Sequence, residues 1–256
     1  MPEGDTVWRT ARRLDETLTG ALLTRTDFRV PAHALLDLTG QHVVGTVARG
    51  KHLLTRIGEE HTLHTHLKME GSWHLYRHDS RWRRPVHEAR VVLHTADWQA
   101  VGFALGITEV IAREDEHTVV GHLGPDLLGP DWDEGEALRR LTAEPDRPVG
   151  EAILDQRNLA GIGNMYRSEI CFLAGVHPAT PTGQVPDLGR LVRRAKQVLE
   201  TNKERAVQST TGDLGRGRQH WVYRRQREPC RRCRTPVRRA EVDGRGVYWC
   251  PRCQQP

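Results

Sequence analysis

The stretch LDQRNLAGIGNMYRSEI, residues 154–170, joins two helix-like segments through the tight sequence LAGIGN. Gly161 and Gly163 permit close backbone approach and φ angles that other residues avoid. Asn164, which follows them, is a candidate N-cap for the second helix. Free N–H groups at a helix N-terminus suit an anion such as a phosphate, whereas most glycine-rich turns between helices only reverse the chain. The stretch alone leaves both interpretations open.

Helical patterns continue on both sides of this turn. Segments 132–143, 148–160, 164–175 and 186–204 each carry apolar residues at helical spacing. Together they predict a second, helical domain over residues 125–215.

The N-terminal part has a different pattern. Four apolar residues recur at helical spacing over residues 3–19, and Gly20 supplies a stop signal. Six short β-like segments follow, at 21–30, 42–50, 52–57, 61–67, 89–95 and 100–105. No long helix interrupts them, so an antiparallel β-sandwich or barrel packed with one helix is predicted over residues 1–115. The chain is therefore expected to be an α+β multidomain protein.

The C-terminal segment 221–256 carries four patterned cysteines. Cys230-x2-Cys233 and Cys250-x2-Cys253 are separated by 16 residues. Four thiolates at this spacing can close a tetrahedral zinc site around one β-hairpin, and they leave no open position for water. So short a segment has too little apolar mass to fold otherwise, so the metal would supply folding free energy. Two disulfides are the alternative, which an intracellular chain disfavours.

Charge is concentrated in the same region. Residues 216–256 hold twelve arginines, no lysine and three acidic residues, a net charge of +9 within a chain of +5. This suggests a polyanion partner, most simply nucleic acid, although a solvated tail is the alternative. The DGRG turn at 243–246 would present Arg245 at the tip of a hairpin, where its guanidinium can contact a phosphate through two hydrogen bonds.

Composition sets the expected location. The 256 residues are 37% hydrophobic, and no apolar run approaches the ~20 residues of a membrane span. The N-terminus lacks the basic and apolar regions of a signal peptide. We expect an intracellular, cytoplasmic protein.

The chain begins MPEGD, residues 1–5. An initiator Met before a residue as small as proline is normally trimmed, which would leave Pro2 with a free secondary amine. An α-amino group titrates near ~7.7–8.0, so much of it is unprotonated at neutral pH and can attack a carbonyl carbon to form a Schiff base. The alternative is that Pro2 merely opens a helix.

Three of these features coincide: the Pro-Glu start, the LAGIGNMY turn and the four-cysteine finger with its hairpin arginine. Together they resemble the formamidopyrimidine-DNA glycosylase and endonuclease VIII family. The resemblance covers essentially the whole chain, in the family's domain order. The motifs MPEGDTVW, RGKHL, LAGIGN and YWCP.CQ are most similar to the actinobacterial endonuclease VIII type.

The resemblance implies roles for the residues of the N-terminal domain. Pro2 corresponds to the nucleophile and Glu3 to the neighbouring general acid. Lys51, in ARGKHLL, corresponds to the family's catalytic lysine on a β-turn, although without the other motifs it would be interpreted as a solvated turn lysine. Met69, in HLKMEGSW, stands where the family has a residue that fills the gap left by the flipped base. An ordinary core methionine is the alternative for Met69.

Further positions match the family's DNA contacts, and two depart from its pattern. Asn164 and Arg245 match the pair that pinches the DNA backbone around the lesion. Glu169 matches another frequent family acid, with no assigned role. Thr6 stands where the family usually has a second glutamate, and Glu70 replaces an aromatic residue after the position of Met69.

The implied activity is removal of oxidised bases from DNA, followed by β,δ-elimination at the abasic site. The opening PEG favours oxidised pyrimidines. The implied partner is double-stranded DNA with a damaged base or an abasic site. The resemblance further implies one structural zinc, no catalytic metal, a monomer and, in a bacterium, association with the nucleoid.

Three other functions fit parts of the sequence. A non-catalytic zinc-finger nucleic-acid-binding protein explains the arginines and cysteines, but not Pro2-Glu3 or Lys51. A metal-dependent nuclease would use histidines such as His61, His64 and His66, although no carboxylate cluster accompanies them in the sequence. A family member without catalysis is disfavoured because the three catalytic matches are intact.

Overall fold

The computed structural model describes residues 2–242 and 244–255. The chain divides into two compact units. The first comprises Pro2 and Thr6–His122, and the second comprises Glu3–Asp5 and the chain from Leu123 onward. Each unit is described separately below.

The first unit begins with most of helix α1 (Gly4–Leu18), as predicted. The α1 side chains of Val7, Ala11, Leu14 and Leu18 are all buried. They pack in one hydrophobic core with side chains from two sheets, which explains why a helix of such polar composition is stable here.

Eight strands follow α1: β1 (Arg25–Phe28), β2 (Val43–Arg49), β3 (His52–Ile57), β4 (His61–His66), β5 (Ser72–Arg77), β6 (Ala89–His94), β7 (Trp98–Phe103) and β8 (Ile107–Ala112). They form two four-stranded sheets. Sheet A has the order β1-β6-β7-β5, and sheet B has the order β2-β3-β4-β8. Every pairing is antiparallel. Because one core takes side chains from both sheets, the predicted β-sandwich is confirmed.

Strands β5 and β8 were not predicted. Each is the edge strand of its sheet, and most of its residues are only partly buried. Partial burial on both faces weakens the alternation that identifies a strand in sequence. A short helix, α2 (Glu116–Val120), also follows β8 without having been predicted.

The second unit contains α3 (Glu134–Thr142), α4 (Val149–Ala152), α5 (Asn164–Ala174) and α6 (Leu188–Asn202), which share one hydrophobic core. The prediction of a helix over 148–160 was wrong beyond Ala152. There, side-chain hydrogen bonds replace helical ones: Gln156 Nε2 donates to the carbonyl of Ile162, and Asn158 Nδ2 donates to that of Ala152. Such side chains offer the backbone an alternative to the helix.

The second unit ends in a hairpin of β9 (Arg238–Val242) and β10 (Arg245–Trp249). Arg245 pairs with Val242, so it is the first residue of β10 and flanks the two-residue turn. Asp243 of that turn lies outside the described residues, as does Met1. Among the residues that the structure describes, no helix is long and apolar enough to cross a membrane.

Candidate active site and nucleic-acid interface

The carboxylate of Glu3 lies at the N-terminus of α5. Glu3 is fully buried, and its two oxygens accept hydrogen bonds from the backbone N–H groups of Gly163 at 2.7 Å, Met165 at 2.8 Å and Tyr166 at 3.3 Å. A helix leaves its first N–H groups without helical partners, and its N-terminus favours negative charge. Glu3 therefore supplies the cap of α5 from the other end of the chain.

Gly163 makes this contact possible, and Asn164 has a different role from the predicted one. A Cβ atom at position 163 would lie 2.4 Å from Cδ of Glu3, so only glycine leaves room for the carboxylate. The predicted N-cap at Asn164 was wrong: Gly163 is the N-cap and Asn164 is the first residue of α5. The cap that Asn164 would have supplied comes from Glu3.

The side chain of Asn164 instead joins α5 to the C-terminal hairpin. Its amide nitrogen donates to the carbonyl of Gly246 at 3.0 Å, and its amide oxygen accepts from the buried guanidinium of Arg167. Gly246 adjoins Arg245, which is exposed. The structure thus brings Asn164 to the hairpin that carries Arg245, and adds Arg167, which sequence reasoning missed.

Asp5 forms a second buried polar contact behind Glu3. It accepts from the Tyr166 hydroxyl at 2.9 Å and from Gln208 Nε2 at 2.8 Å. All three residues belong to the second unit. Asp5 is the residue before Thr6, at which the resemblance implies another glutamate.

Lys51 lies on the tight turn between β2 and β3. Arg49 pairs with His52, which leaves a two-residue connection of Gly50 and Lys51. Gly50 has φ of +58°, a conformation that favours glycine at the first position of such a hairpin turn. Pro2, half-buried, belongs to the same unit and is joined directly to Glu3 by the peptide bond.

Met69 lies on the connection between β4 and β5, and 63% of it is exposed. The alternative of an ordinary core methionine is therefore wrong. Because His52 pairs with His66, the Lys51 turn and the Met69 connection lie at the same end of sheet B. This end of the first unit therefore carries Lys51, Lys68 and the long apolar side chain of Met69.

The four patterned cysteines lie together. Their Sγ atoms are all within 4.8 Å of one another, with Cys230 and Cys253 at 4.0 Å and Cys233 and Cys250 at 3.4 Å. A tetrahedral site with Zn–S bonds of about 2.3 Å places sulfurs ~3.8 Å apart, so the donor set fits zinc. No disulfide joins them.

Cys171 stays outside this cluster, in the helical core. It is fully buried, and burial raises the pKa of its thiol to about 12. The side chain is therefore an apolar component of the core.

Glu169, to which the sequence assigned no role, is a second buried carboxylate. It accepts from the backbone N–H groups of Trp221, Val222 and Tyr223, each at 2.8 Å, and from the Thr210 hydroxyl. The residue thereby fastens α5 to the segment that leads into the cysteine module.

The histidines of β4 do not gather as a metal site. Across residues 2–242 and 244–255, the four cysteines are the group of His, Cys, Asp or Glu donors close enough together to share an ion. Instead, each ring nitrogen of His64 forms one hydrogen bond, Nδ1 with the carboxylate of Glu109 and Nε2 with Nδ1 of His52. The nuclease alternative thus lacks the ligand cluster that it requires.

Comparison with family models matches three successive segments. Residues 1–104 match the formamidopyrimidine-DNA glycosylase N-terminal domain, residues 123–213 its H2TH domain, and residues 227–256 a zinc finger found in FPG and IleRS.

Similar proteins extend along the whole chain. A probable endonuclease 8 2 of Streptomyces coelicolor is 53% identical, covering 99% of this chain and 94% of the relative. The DNA-(apurinic or apyrimidinic site) lyase Nei2 of Mycolicibacterium smegmatis is 48% identical over 99% of each chain. A solved complex of the Lactococcus lactis Fpg with abasic-site DNA is 26% identical, with a TM-score of 0.84 over 99% of this chain and 100% of that one. The chain therefore belongs to the formamidopyrimidine-DNA glycosylase and endonuclease VIII family.

Proposed function

We propose that this chain is a bifunctional base-excision-repair enzyme, which removes oxidised bases from DNA and cleaves the abasic site through a Schiff base on Pro2. One observation carries the proposal: the backbone N–H groups at the N-terminus of α5 hold the carboxylate of Glu3 in place. Glu3 is bonded directly to Pro2, the proposed nucleophile. The membership of the family supports the reaction class.

The nucleophile is the secondary amine of Pro2 after removal of Met1. Its nitrogen attacks C1′ of the damaged nucleotide as the bond from C1′ to the base breaks. The amine gives up its proton, and the departing base takes one up. The bond between C1′ and O4′ then breaks, O4′ takes up a second proton, and the nitrogen lone pair forms an iminium, which acidifies the C2′ hydrogen. Loss of that hydrogen breaks the 3′ phosphate bond, and a second elimination breaks the 5′ bond.

Glu3 is the proton carrier in these reaction steps. Both of its oxygens accept N–H bonds, an arrangement that suits the ionised carboxylate. Before it can act as an acid it must take up a proton, and the amine of Pro2 releases one on attacking C1′. Glu3 then donates this proton during base departure or sugar-ring opening. Lys51 is the further amine available for proton transfer.

Duplex DNA with a damaged base or an abasic site is the proposed partner. A base inside a duplex must be flipped out before its sugar can be attacked. Asn164 and Arg245 hold the backbone phosphates on both sides of the lesion, and Met69 fills the gap in the stack. The exposure of Arg245 and Met69 supports these roles.

Zinc is proposed as one structural ion. The four cysteines would hold it and leave no open coordination position, so the ion supplies folding free energy to the hairpin. No catalytic metal is proposed, because the amine, the carboxylate and the lysine supply the nucleophile and the proton carriers of the reaction. Activity should persist in EDTA for as long as the finger keeps its zinc.

We also propose the limits of the domains, the oligomeric state, the cellular location and the substrate class. Residues 1–115 are the catalytic domain, 125–215 the helical DNA-binding domain and 221–256 the zinc finger. We propose a monomer that works in the cytoplasm, at the nucleoid in a bacterial cell. Oxidised pyrimidines such as thymine glycol and 5-hydroxyuracil should be removed from duplex DNA faster than 8-oxoguanine. A clear preference for 8-oxoguanine in a lesion panel would overturn that substrate class.

Borohydride trapping tests the proposal. Reduction during turnover should lock the protein to DNA, and peptide mapping should place the adduct on Pro2 with Met1 absent. A tag that converts the Pro2 nitrogen to an amide should abolish trapping. Lys51 is the competing amine, and Lys51→Ala should still form the adduct. An adduct on Lys51, or full trapping with a blocked N-terminus, would contradict the assignment. Binding of DNA without any strand cleavage would favour the non-catalytic alternative.

A further inference from the structure

Three side chains of the first unit form a hydrogen-bonded series across sheet B. Glu109 on β8 bonds to Nδ1 of His64 on β4 at 2.7 Å, and Nε2 of His64 bonds to Nδ1 of His52 on β3 at 2.8 Å. His64 is 2% exposed, whereas the side chain of Glu109 is 40% exposed. We refer to Glu109, His64 and His52 as the histidine chain.

The chemistry of the partners determines where the protons lie. An ionised carboxylate can only accept, so His64 donates through Nδ1 and, when neutral, accepts through Nε2. His52 then donates through Nδ1, and its Nε2 carries a lone pair. Burial, followed by the neighbouring His66, His64, His122 and Lys68, lowers the pKa of His52 to about 3. His52 is therefore neutral at pH 7, in agreement with this proton arrangement.

The histidine chain ends beside the Lys51 turn. His52 follows Lys51 directly and is the first residue of β3. A two-residue turn has few backbone conformations, so the residues that flank it constrain the direction in which the Cα–Cβ bond of Lys51 leaves the backbone. Across the strand pair, the ring of His66 meets that of His52 edge-on at 5.0 Å, and Nδ1 of His66 accepts from the backbone N–H of Lys68.

The charge of Lys51 reaches this cluster of rings. Burial has the largest effect on His66, and the charges of Lys68, Lys51 and His64 add to it, so that the pKa of His66 is lowered to about 4. His52 and His66 are thus neutral at pH 7, so they do not repel the charge of Lys51.

We propose that the histidine chain is a positioning device for Lys51: by fixing the ring of His52, it holds the two-residue turn so that the amine stands ready for proton transfer. This rests on the proposed function, in which Lys51 takes part in the reaction. In this proposal His52, His64 and Glu109 act through the backbone of the turn.

Two substitutions of His64 separate positioning from simple packing. His64→Leu keeps an apolar volume in the sheet but removes both hydrogen bonds. His64→Gln has an amide that can donate to Glu109 and a carbonyl that can accept from His52. The substrate is duplex DNA with one preformed abasic site. Single-turnover cleavage, equilibrium DNA binding and the melting temperature are measured for each variant.

His64→Leu should cleave about tenfold more slowly, because small displacements of a reacting group are costly, while its Kd changes less than about twofold. His64→Gln should restore most of the rate. In a Lys51→Ala background, His64→Leu should have no further effect, because coupled residues are not additive. A wild-type rate in folded His64→Leu, or an equal loss in both variants, would overturn the proposal. If His64→Leu does not fold, Glu109→Ala at the exposed end gives the same comparison.

The tautomers provide a measurement that is independent of activity. In the ¹⁵N-labelled wild-type protein, NMR of the imidazole groups should show that the proton of His52 is on Nδ1. In Glu109→Ala, His52 should no longer prefer this tautomer. A proton on Nε2 of His52 would contradict the histidine chain whatever the enzyme does. Failure of the wild-type protein to cleave abasic DNA would instead count against the proposed function.

Discussion

Glu3 and Glu169 are two buried carboxylates with nearly the same surroundings and different consequences. Each accepts three backbone N–H groups, Glu3 at the start of α5 and Glu169 from the segment 221–223. Glu3 is bonded to Pro2, whereas Glu169 lies on α5 and secures the approach to the cysteine module. The hydrogen bonds alone therefore do not identify a catalytic acid. The neighbouring Pro2, which we propose as the nucleophile, distinguishes Glu3.

The largest expected effect comes from exchanging the Glu3 carboxylate for an amide. Glu3→Gln should slow excision of an intact damaged base by about a hundredfold or more, since general acid–base catalysis contributes on that order. Cleavage of a preformed abasic site should fall much less, because it already offers an aldehyde and needs no base departure. Glu169→Gln, compared at equal folded fraction, should leave the ratio of the two rates unchanged. Equal changes of that ratio in both variants would remove the distinction.

The second prediction concerns the structural carboxylate. Glu169→Ala leaves the buried N–H groups of segment 221–223 without their acceptor, which should lower the free energy of unfolding by about 3 kcal/mol. Denaturant titration measures the loss. Glu144→Ala, which removes an exposed carboxylate of the second unit, is the matched control and should cost less than about 0.5 kcal/mol. A Glu169→Ala protein as stable as this control would show that other groups hold the segment.

The third prediction separates folding from contact within the C-terminal module. Cys233→Ser should reduce zinc content and weaken DNA binding, because the hairpin that presents Arg245 depends on the metal. Arg245→Ala should retain the zinc and weaken binding about tenfold, the scale of one charge-assisted phosphate contact. Its affinity should also depend less steeply on salt, because one phosphate contact fewer releases fewer counterions. Full zinc content with normal binding in Cys233→Ser would contradict the first half.

The last prediction concerns stability in acid. The pKa of His52 is about 3 in the folded protein and its ordinary value is 6.5, so the unfolded chain binds the extra proton first as the pH falls. This contribution to stability is complete above pH 6.5 and is lost progressively between pH 6.5 and 3. His52→Gln, which cannot titrate, should flatten that part of the pH–stability curve. An unchanged slope would indicate that His52 takes up its proton over the same pH range in the folded and the unfolded protein.

Local patterns predicted much of the fold and less of the site. Helix α1, six strands of the sandwich and the clustered cysteines were all predicted, because apolar period and cysteine spacing are local signals. The edge strands β5 and β8 lack a clean period. The contacts of Glu3 with α5 join residues 160 or more apart in sequence, and no local pattern reports such a pairing. For the same reason the cap of α5 was assigned to the nearby Asn164.

The burial of Cys171 has a practical consequence for following the metal. Because this thiol has a pKa of about 12 and no exposed surface, it should not react with a colorimetric disulfide reagent until the helical core unfolds. The remaining cysteines are those of the cluster. When a chelator removes the metal from the otherwise folded protein, the reagent should therefore react only with the four cysteines of the finger, four equivalents per chain. A fifth equivalent would mark the moment when unfolding reaches α5, so one titration would time the two events separately.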